Sequence, residues 1–293
     1  MNNSRESPAD GVAAAAPLQS LEAFLREVGT LPSLPSLYLQ LTEELASPDA
    51  SPSRVSRIIS KDLGLTTKIL QIVNSAYFGL SRQISSVERA VLLLGLEMLR
   101  TLALSASVFS MFEPSKMAGL AVAGLWRHSM NCSGMARKLG NRLRLKSDTI
   151  EHLVTAAFLH DVGKLLLADR KPQKYAEVTR KIREENLTPF EAEKEIFGFD
   201  HAQVGALLLN RWQLPEPVAE GVLWHHYPSV QESEQDHTFA GIIHVLDYLE
   251  HQHHGEVVEL HLELDRDFLG RIGVDNSVLA EWKAFLLEDV GPF

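Results

Sequence analysis

FLHDVGKLLL, residues 158–167, sets a histidine–aspartate pair inside an apolar run of helical period. His160 and Lys164 stand four apart and share a face, whereas Asp161 is rotated by about 100° and lies three before Lys164. Adjacent ligands placed this way can address two neighbouring ions. Asp161 is the natural bridge, because a carboxylate can lend one oxygen to each ion. Gly163 removes a side chain where another helix can approach closely. Lys164 has two roles open to it. It can hold a phosphate oxygen or polarise a bound water, or it can neutralise Asp161 through a salt bridge.

Working outward, four further apolar segments carry residues of the same kind: His128 in LWRHSM, His201 in GFDHAQVG, His225 and His226 in LWHHYP, and Asp247 in IIHVLDYL. Neutral imidazole and carboxylate are the ligands that first-row divalent metals accept. Singly, each position reads as ordinary: a histidine in an apolar helix is usually a packed core residue. His225-His226, just before Tyr227-Pro228, read alone as exposed residues at a helix end. Together they need a common explanation, since burying several imidazoles and two carboxylates without partners is costly. A shared metal or a dense hydrogen-bond network must satisfy them. His244, three before Asp247, is expected as its helix neighbour or as a partner that orients a ligand. His152, His237, His251, His253, His254 and His261 are expected at the surface or in local structural roles. Cys132 lies four after His128 on the same face and is expected as a packed core thiol.

The chain has 293 residues, 45% hydrophobic and 23% charged, with a formal net charge of −10. After residue 115, 27 Asp and Glu face 19 Lys and Arg, which argues against binding a nucleic-acid backbone. The first residues, MNNSRESPADGVAAAAPLQS, lack a basic region followed by a long apolar one, so no secretory signal is expected. Val91 to Met111 is the longest apolar stretch, but it carries Glu97 and Arg100 and reads as a buried helix instead of a membrane span. The single cysteine excludes an internal disulfide framework. These features place the expected site of action in the cytoplasm, away from membranes. No Gly-rich phosphate loop, GxSxG, CxxC or HExxH occurs, so any chemistry belongs to the histidine and aspartate set.

Almost the whole chain has helical period, with no repeat of 20–50 residues and no sustained strand alternation. Residues 1–20 are expected as a flexible tail. Leu21–Val28, Ser36–Ala46, Ser53–Ser60, Leu65–Ser75 and Val87–Phe112 form a first helical bundle over 21–115. Lys116–Arg142, Asp148–Ala168, Pro172–Glu185, Pro189–Phe197, Asp200–Trp212, Pro215–His226 and Thr238–His253 form a second group over 116–255. Asp200 followed by Gln203 resembles a capping box, which would set His201 in the first turn of its helix. Residues 256–293 form an extension with a possible extended piece at EVVEL and a closing helix, Ser277–Glu288. The expected fold class is all-α, with two helical subdomains.

The order His128, His160-Asp161, Asp247 resembles the HD superfamily of metal-dependent phosphohydrolases, and His201 with His225-His226 resembles its HD-GYP branch of cyclic-dinucleotide phosphodiesterases. No GYP motif follows His201 or His225. The closer resemblance is to the HDOD domain, the HD-related output domain of bacterial signalling proteins. It is carried by LPSLPSLYLQL, RIISKDLGLTTKILQIVNSAYFGL and ISSVERAVLLLGLEMLRTLAL in the first half. In the second half it is carried by LWRHSM, FLHDVGKLLL, EKEIFGFDHAQVGALLLNRWQLPEPV and the HH pair, over roughly residues 20 to 255 in all. Leu63 stands where that family often has proline. The resemblance implies a two-part helical fold, an HD-like second subdomain and a role in signal transduction.

It also implies metal-binding positions at His128, His160, Asp161, His201, His225, His226 and Asp247. The metal would be divalent, Fe or Mn, and mono- or dinuclear instead of trinuclear, since Gly124 stands where some relatives carry a glutamate; loading is left open. Two roles follow. The favoured one is a regulatory module acting by binding a signalling protein or a nucleotide or phosphate ligand. The other is a metal-dependent phosphodiesterase, in which Asp161 and Lys164 would be catalytic. Neither partner identity nor oligomeric state is indicated.

Overall fold

The computed structural model describes residues 15–45, 47–74, 80, 82–117, 119–230, 237–254 and 263–287. Among them the chain forms fifteen α-helices and no strand. The all-α expectation holds.

α2 (Ser36–Leu45), α3 (Pro52–Ile59) and α4 (Leu63–Val73) pack around α5 (Val87–Ser110), which reaches α7 (Ser147–Leu159). Their starts follow from local chemistry. Ser51, Asp62 and Ser86 each accept a backbone N–H in the first turn of α3, α4 and α5. Leu63 is thus simply the first residue of a capped helix. α5 differs from the single helix that its apolar pattern predicts. Gly95 sits at φ 82°, ψ 166°, and the halves Val87–Leu96 and Met98–Ser110 are bent by 116°. Positive φ costs glycine nothing, and the hydropathy pattern runs unbroken across the bend, so sequence periodicity does not register it. Among the described residues no single helix is long and apolar enough to cross a membrane; this bent pair has the length and composition only when taken together.

The second half builds a cage. α6 (Val122–Arg142) lies along α7. α8 (Val162–Arg170) packs on α9 (Pro172–Glu185) and α11 (His201–Arg211), and α10 (Pro189–Phe197) packs on α9. α12 (Glu216–Trp224) bridges α7, α11 and α13 (His237–His254), and α13 closes onto α6. α8 and α11 cross backbone to backbone at Gly163 on α8. A β-carbon there would lie 2.0 Å from the His201 carbonyl oxygen, so only glycine lets α8 and α11 touch backbone to backbone.

The N-terminal helix corrects one expectation. α1 runs from Ala15 to Val28, so residues 15–20, expected in a flexible tail, are helical; residues 1–14 lie outside the described residues. α1 rests on the second half: Phe24 meets Phe199 with ring centroids 5.3 Å apart, and Lys171 pairs with Glu27. Just beyond it, Trp212 donates its indole N–H to the Pro32 carbonyl at 2.7 Å. At the other end, α14 (Arg266–Arg271) sets the Phe268 ring where a β-carbon of Gly241 would be, and α15 (Asn276–Leu287) is the expected closing helix. EVVEL lies outside the described residues.

Candidate metal centre

Helix ends deliver most of the candidate ligands. α7 stops at His160 and α8 starts after Asp161, so the pair sits in a two-residue break between helices instead of inside one. His201 opens α11, held there by the expected capping box, in which Asp200 accepts Gln203 N–H and Gln203 accepts Asp200 N–H. His225 ends α12, followed by His226. His128 and Asp247 project from the middles of α6 and α13.

All seven side chains converge and are buried; His160, His201 and His225 are fully shielded from solvent. Two groups of donor atoms result. On one side, His128 Nε2 lies 3.1 Å from His160 Nε2 and 3.1 Å from Asp247 Oδ1, with His160 Nε2 3.8 Å from Asp247 Oδ1. On the other, His201 Nε2 lies 2.8 Å from His226 Nε2, and His225 offers a ring nitrogen within 4.8 Å of both. Asp161 stands between them. Its Oδ1 is 3.1 Å from His201 Nε2, and its Oδ2 is 3.6 Å from His160 Nε2 and 3.8 Å from His128 Nε2.

The hydrogen bonds behind the rings decide what the front atoms are. Nδ1 of His160 faces the Ala157 carbonyl at 2.8 Å, and Nδ1 of His225 faces the Val222 carbonyl at 2.6 Å. Nδ1 of His128 faces Glu250 at 2.5 Å, and Nδ1 of His201 faces Glu193 at 2.6 Å. Each neighbour is an acceptor, so each Nδ1 is assigned a ring proton, and each Nε2, turned to the pocket, is the nitrogen a metal would take. These Nε2 atoms converge across the pocket. His225 Nε2 is buried with no well-aligned hydrogen-bond partner. A cation is what such a donor set lacks, and imidazole backed by carboxylate or carbonyl is how proteins orient metal-binding histidines. The residues fit a divalent metal.

Charge supports the same reading. Burial alone would raise the carboxyl of Asp161, but Lys164, His160 and His201 outweigh it and hold Asp161 well below the usual range. For Asp247, His251, His128 and His160 likewise overcome burial. Both carboxylates are therefore ionised. Burial and the neighbouring imidazoles hold His225 and His226 well below the ordinary histidine value, in the neutral form that binds metal. At His201 burial is outweighed by Glu193 and Asp161, which push it up to about 9, and at His128 by Cys132, Asp247 and Glu250, which push it well above the ordinary value, so without a metal both rings hold a second proton that a cation would displace. Burial pushes the Cys132 thiol up to about 12.

One expectation is revised and others are decided. His225 and His226 are buried, not exposed caps. His251, expected at the surface or in a local structural role, takes the second, with Nδ1 2.9 Å from Asp247 Oδ1. His244 takes the second of its two expected roles and braces a ligand: its Nδ1 bonds the His225 carbonyl at 2.8 Å, and its Nε2 accepts Asp265 N–H at 2.8 Å. Lys164 makes the salt bridge, with Nζ 2.7 Å from Asp161 Oδ2. Four contributors were not singled out from sequence. Glu193 also accepts His201 N–H at 2.7 Å and is bonded by the Tyr175 hydroxyl, while Glu250 is fixed by Asn131 at 2.8 Å.

A family model described as the HDOD domain matches residues 31–228. This chain belongs to the HDOD domain family. Among solved structures, this HDOD chain is similar to an HDOD domain protein of unknown function from Geobacter sulfurreducens, 24% identical, with a TM-score of 0.72 over 94% of this chain and 90% of that one. It is also similar to a protein of Marinobacter aquaeolei VT8 provisionally described as a signal transduction protein, 18% identical, with a TM-score of 0.75 over 94% of this chain and 63% of that one. A Shewanella amazonensis SB2B protein provisionally described as a phosphohydrolase gives 23% identity and a TM-score of 0.67 over 95% and 99%. At these identities the likeness shows the fold. An uncharacterised protein of Treponema pallidum is 27% identical over 203 residues, which span 68% of this HDOD chain and only 38% of that relative.

Proposed function

We propose that this HDOD chain is a signal-transduction output module whose buried centre holds one or two divalent metal ions as a structural or ligand-sensing element, and which acts by binding. The observation that carries the metal is the convergence of five imidazoles and two carboxylates, with acceptors behind His128, His160, His201 and His225 that turn each Nε2 to the pocket. Ligands would be His128, His160 and Asp247 on one side and His201, His225 and His226 on the other, with one oxygen of Asp161 for each. A bound divalent ion would supply Lewis acidity and a lowered pKa of coordinated water.

Binding is favoured over turnover by how closed the centre is. Lys164 is only 11% exposed and engaged by Asp161, so its ammonium is not free to seat a phosphate. The cavity beside the centre, bordered by Phe190, His226, His244 and Asp247, is small, about 20 Å³, room for about one water. The phosphohydrolase reading has its own support in Asp161, whose two oxygens face the two donor groups with a cation alongside. Metal analysis of the purified chain, followed by assays on an activated phosphodiester and on cyclic dinucleotides beside Asp161→Ala, separates the two. Bound metal without Asp161-dependent turnover is expected. Turnover that Asp161→Ala abolishes would make the chain an enzyme, and absence of metal with all histidines intact would overturn the metal centre itself.

A further inference from the structure

We propose that α1 is a positioning strap for His201: its docking holds the turn that carries this residue into the centre, and its release lets that turn and His201 loosen together. An output module needs an element outside its buried centre that moves with it, and α1 fills that place. The docking stands on its own geometry; only its consequence for a bound ion rests on the metal reading above.

Phe24 on α1 is buried against Phe199, with ring centroids 5.3 Å apart, and Phe199 meets Phe197 at 5.8 Å. Between Phe197 and Phe199, Gly198 turns the chain at φ 84° and ends α10. Ser20 of α1 lies over that turn so closely that a β-carbon on Gly198 would stand 2.9 Å from its Oγ. Asp200 and His201 follow immediately. Asp200 caps α11, the His201 N–H goes to Glu193, and the His201 carbonyl lies against Gly163. α1 thus covers one end of the short path from Phe197 to His201, and the other end is a candidate ligand.

α1 is also built to detach. A helix of 14 residues is marginal alone in water, so its helicity draws on the surface beneath it. Of its described side chains, Leu21 and Phe24 are buried, and at its edge Glu27 pairs with Lys171 and feels the charge of Lys174. Gly29 follows at φ 70°, with no neighbour within 4 Å of where a β-carbon would be, and the Trp212 bond anchors Pro32. A swing at Gly29 therefore moves α1 and leaves the rest of the linker in place.

The test is hydrogen exchange of the full chain, read by mass spectrometry, first without metal and then with saturating Zn(II). In Phe24→Ala without metal, exchange over residues 197–204 should rise by at least about tenfold, a usual scale of coupling between sites, while α6 and α7 exchange as in wild type. A rise confined to α1, or one spread evenly over the chain, would make α1 a mere cover and overturn the proposal. Where Phe24→Ala does not fold, Glu27→Lys takes its place by setting like charges together at the edge of α1. Lys171→Glu in the same chain should reverse its effect, and no effect or no reversal overturns the proposal equally. Zn(II) bound to wild type should in turn slow exchange over residues 20–28, because coupling is reciprocal. Bound Zn(II) that leaves α1 unchanged overturns the proposal, whereas no bound Zn(II) overturns the metal reading and leaves the metal-free comparison to decide the strap.

Discussion

Glu193 shows how a residue that touches no ion can govern one. Its carboxylate takes both the ring and the backbone N–H of His201, so it fixes the tautomer and the position of a ligand at once. Glu193→Gln can still accept one bond but loses the negative charge. Metal affinity measured by titration should fall about 10–100-fold, the usual cost of losing such a partner. Unchanged affinity would mean that the helix start alone holds His201. Gly163 is the opposite kind of residue, important for what it lacks. Gly163→Ala forces α8 off α11 and should cost about 3 kcal/mol in urea unfolding, the upper end for overpacking, because backbone atoms cannot turn aside. A cost below about 0.5 kcal/mol would show that the crossing is not tight. The ligand-type residues were legible because histidine and aspartate in apolar runs demand partners. Glu250 and His251 were legible in principle, standing three and four after Asp247 on α13, the spacing that shares a helix face. Glu193 was not. It reaches His201 across the Gly198 turn between two helices, and no spacing rule covers that path.

At the scale of elements, caps and breaks were uneven in what they revealed. The boxes at Thr188–Glu191 and Asp200–Gln203 carry their signature in four letters, and the structure contains both. The bend at Gly95 and the break between α7 and α8 carry none, because apolar residues continue through them. α14 offers a test with pH. Burial would raise the Asp265 carboxyl, but bonds from Ser229 and the Phe268 N–H outweigh it, so its folded value lies below the ordinary one. A depressed value stabilises the fold above the unfolded pKa, and that contribution disappears as pH falls through the folded one. The melting-temperature gap between wild type and Asp265→Asn should therefore be present at neutral pH and close below about pH 4. A gap that stays constant down to strongly acidic pH would show that the cap does not depend on charge.

For the molecule as a whole, the centre joins α6, α7, α8, α11, α12 and α13, so filling it ties together most of the second half. A ligand that binds only the folded state stabilises it by mass action. Free metal at about 100 times its dissociation constant should add roughly 2.7 kcal/mol, seen as a raised melting temperature that a chelator reverses. A melting curve indifferent to chelator would separate the fold's stability from the centre. The all-helical plan was readable from periodicity and proline punctuation. That α1 rests on the second half was not, since amphipathicity states that a face is apolar and not which partner covers it.

The bracing of His225 by His244 and Asp265 has a practical side. The family match stops at residue 228, before Asp247, Glu250 and both braces. A fragment trimmed to that match would lose α1 and α13 together, leaving His128 without Asp247 and Glu250 and uncovering apolar flanks of α6, α7 and α12. Such a fragment is expected to be poorly soluble. A failure to bind metal in it would report where the chain was cut, and not what the protein does.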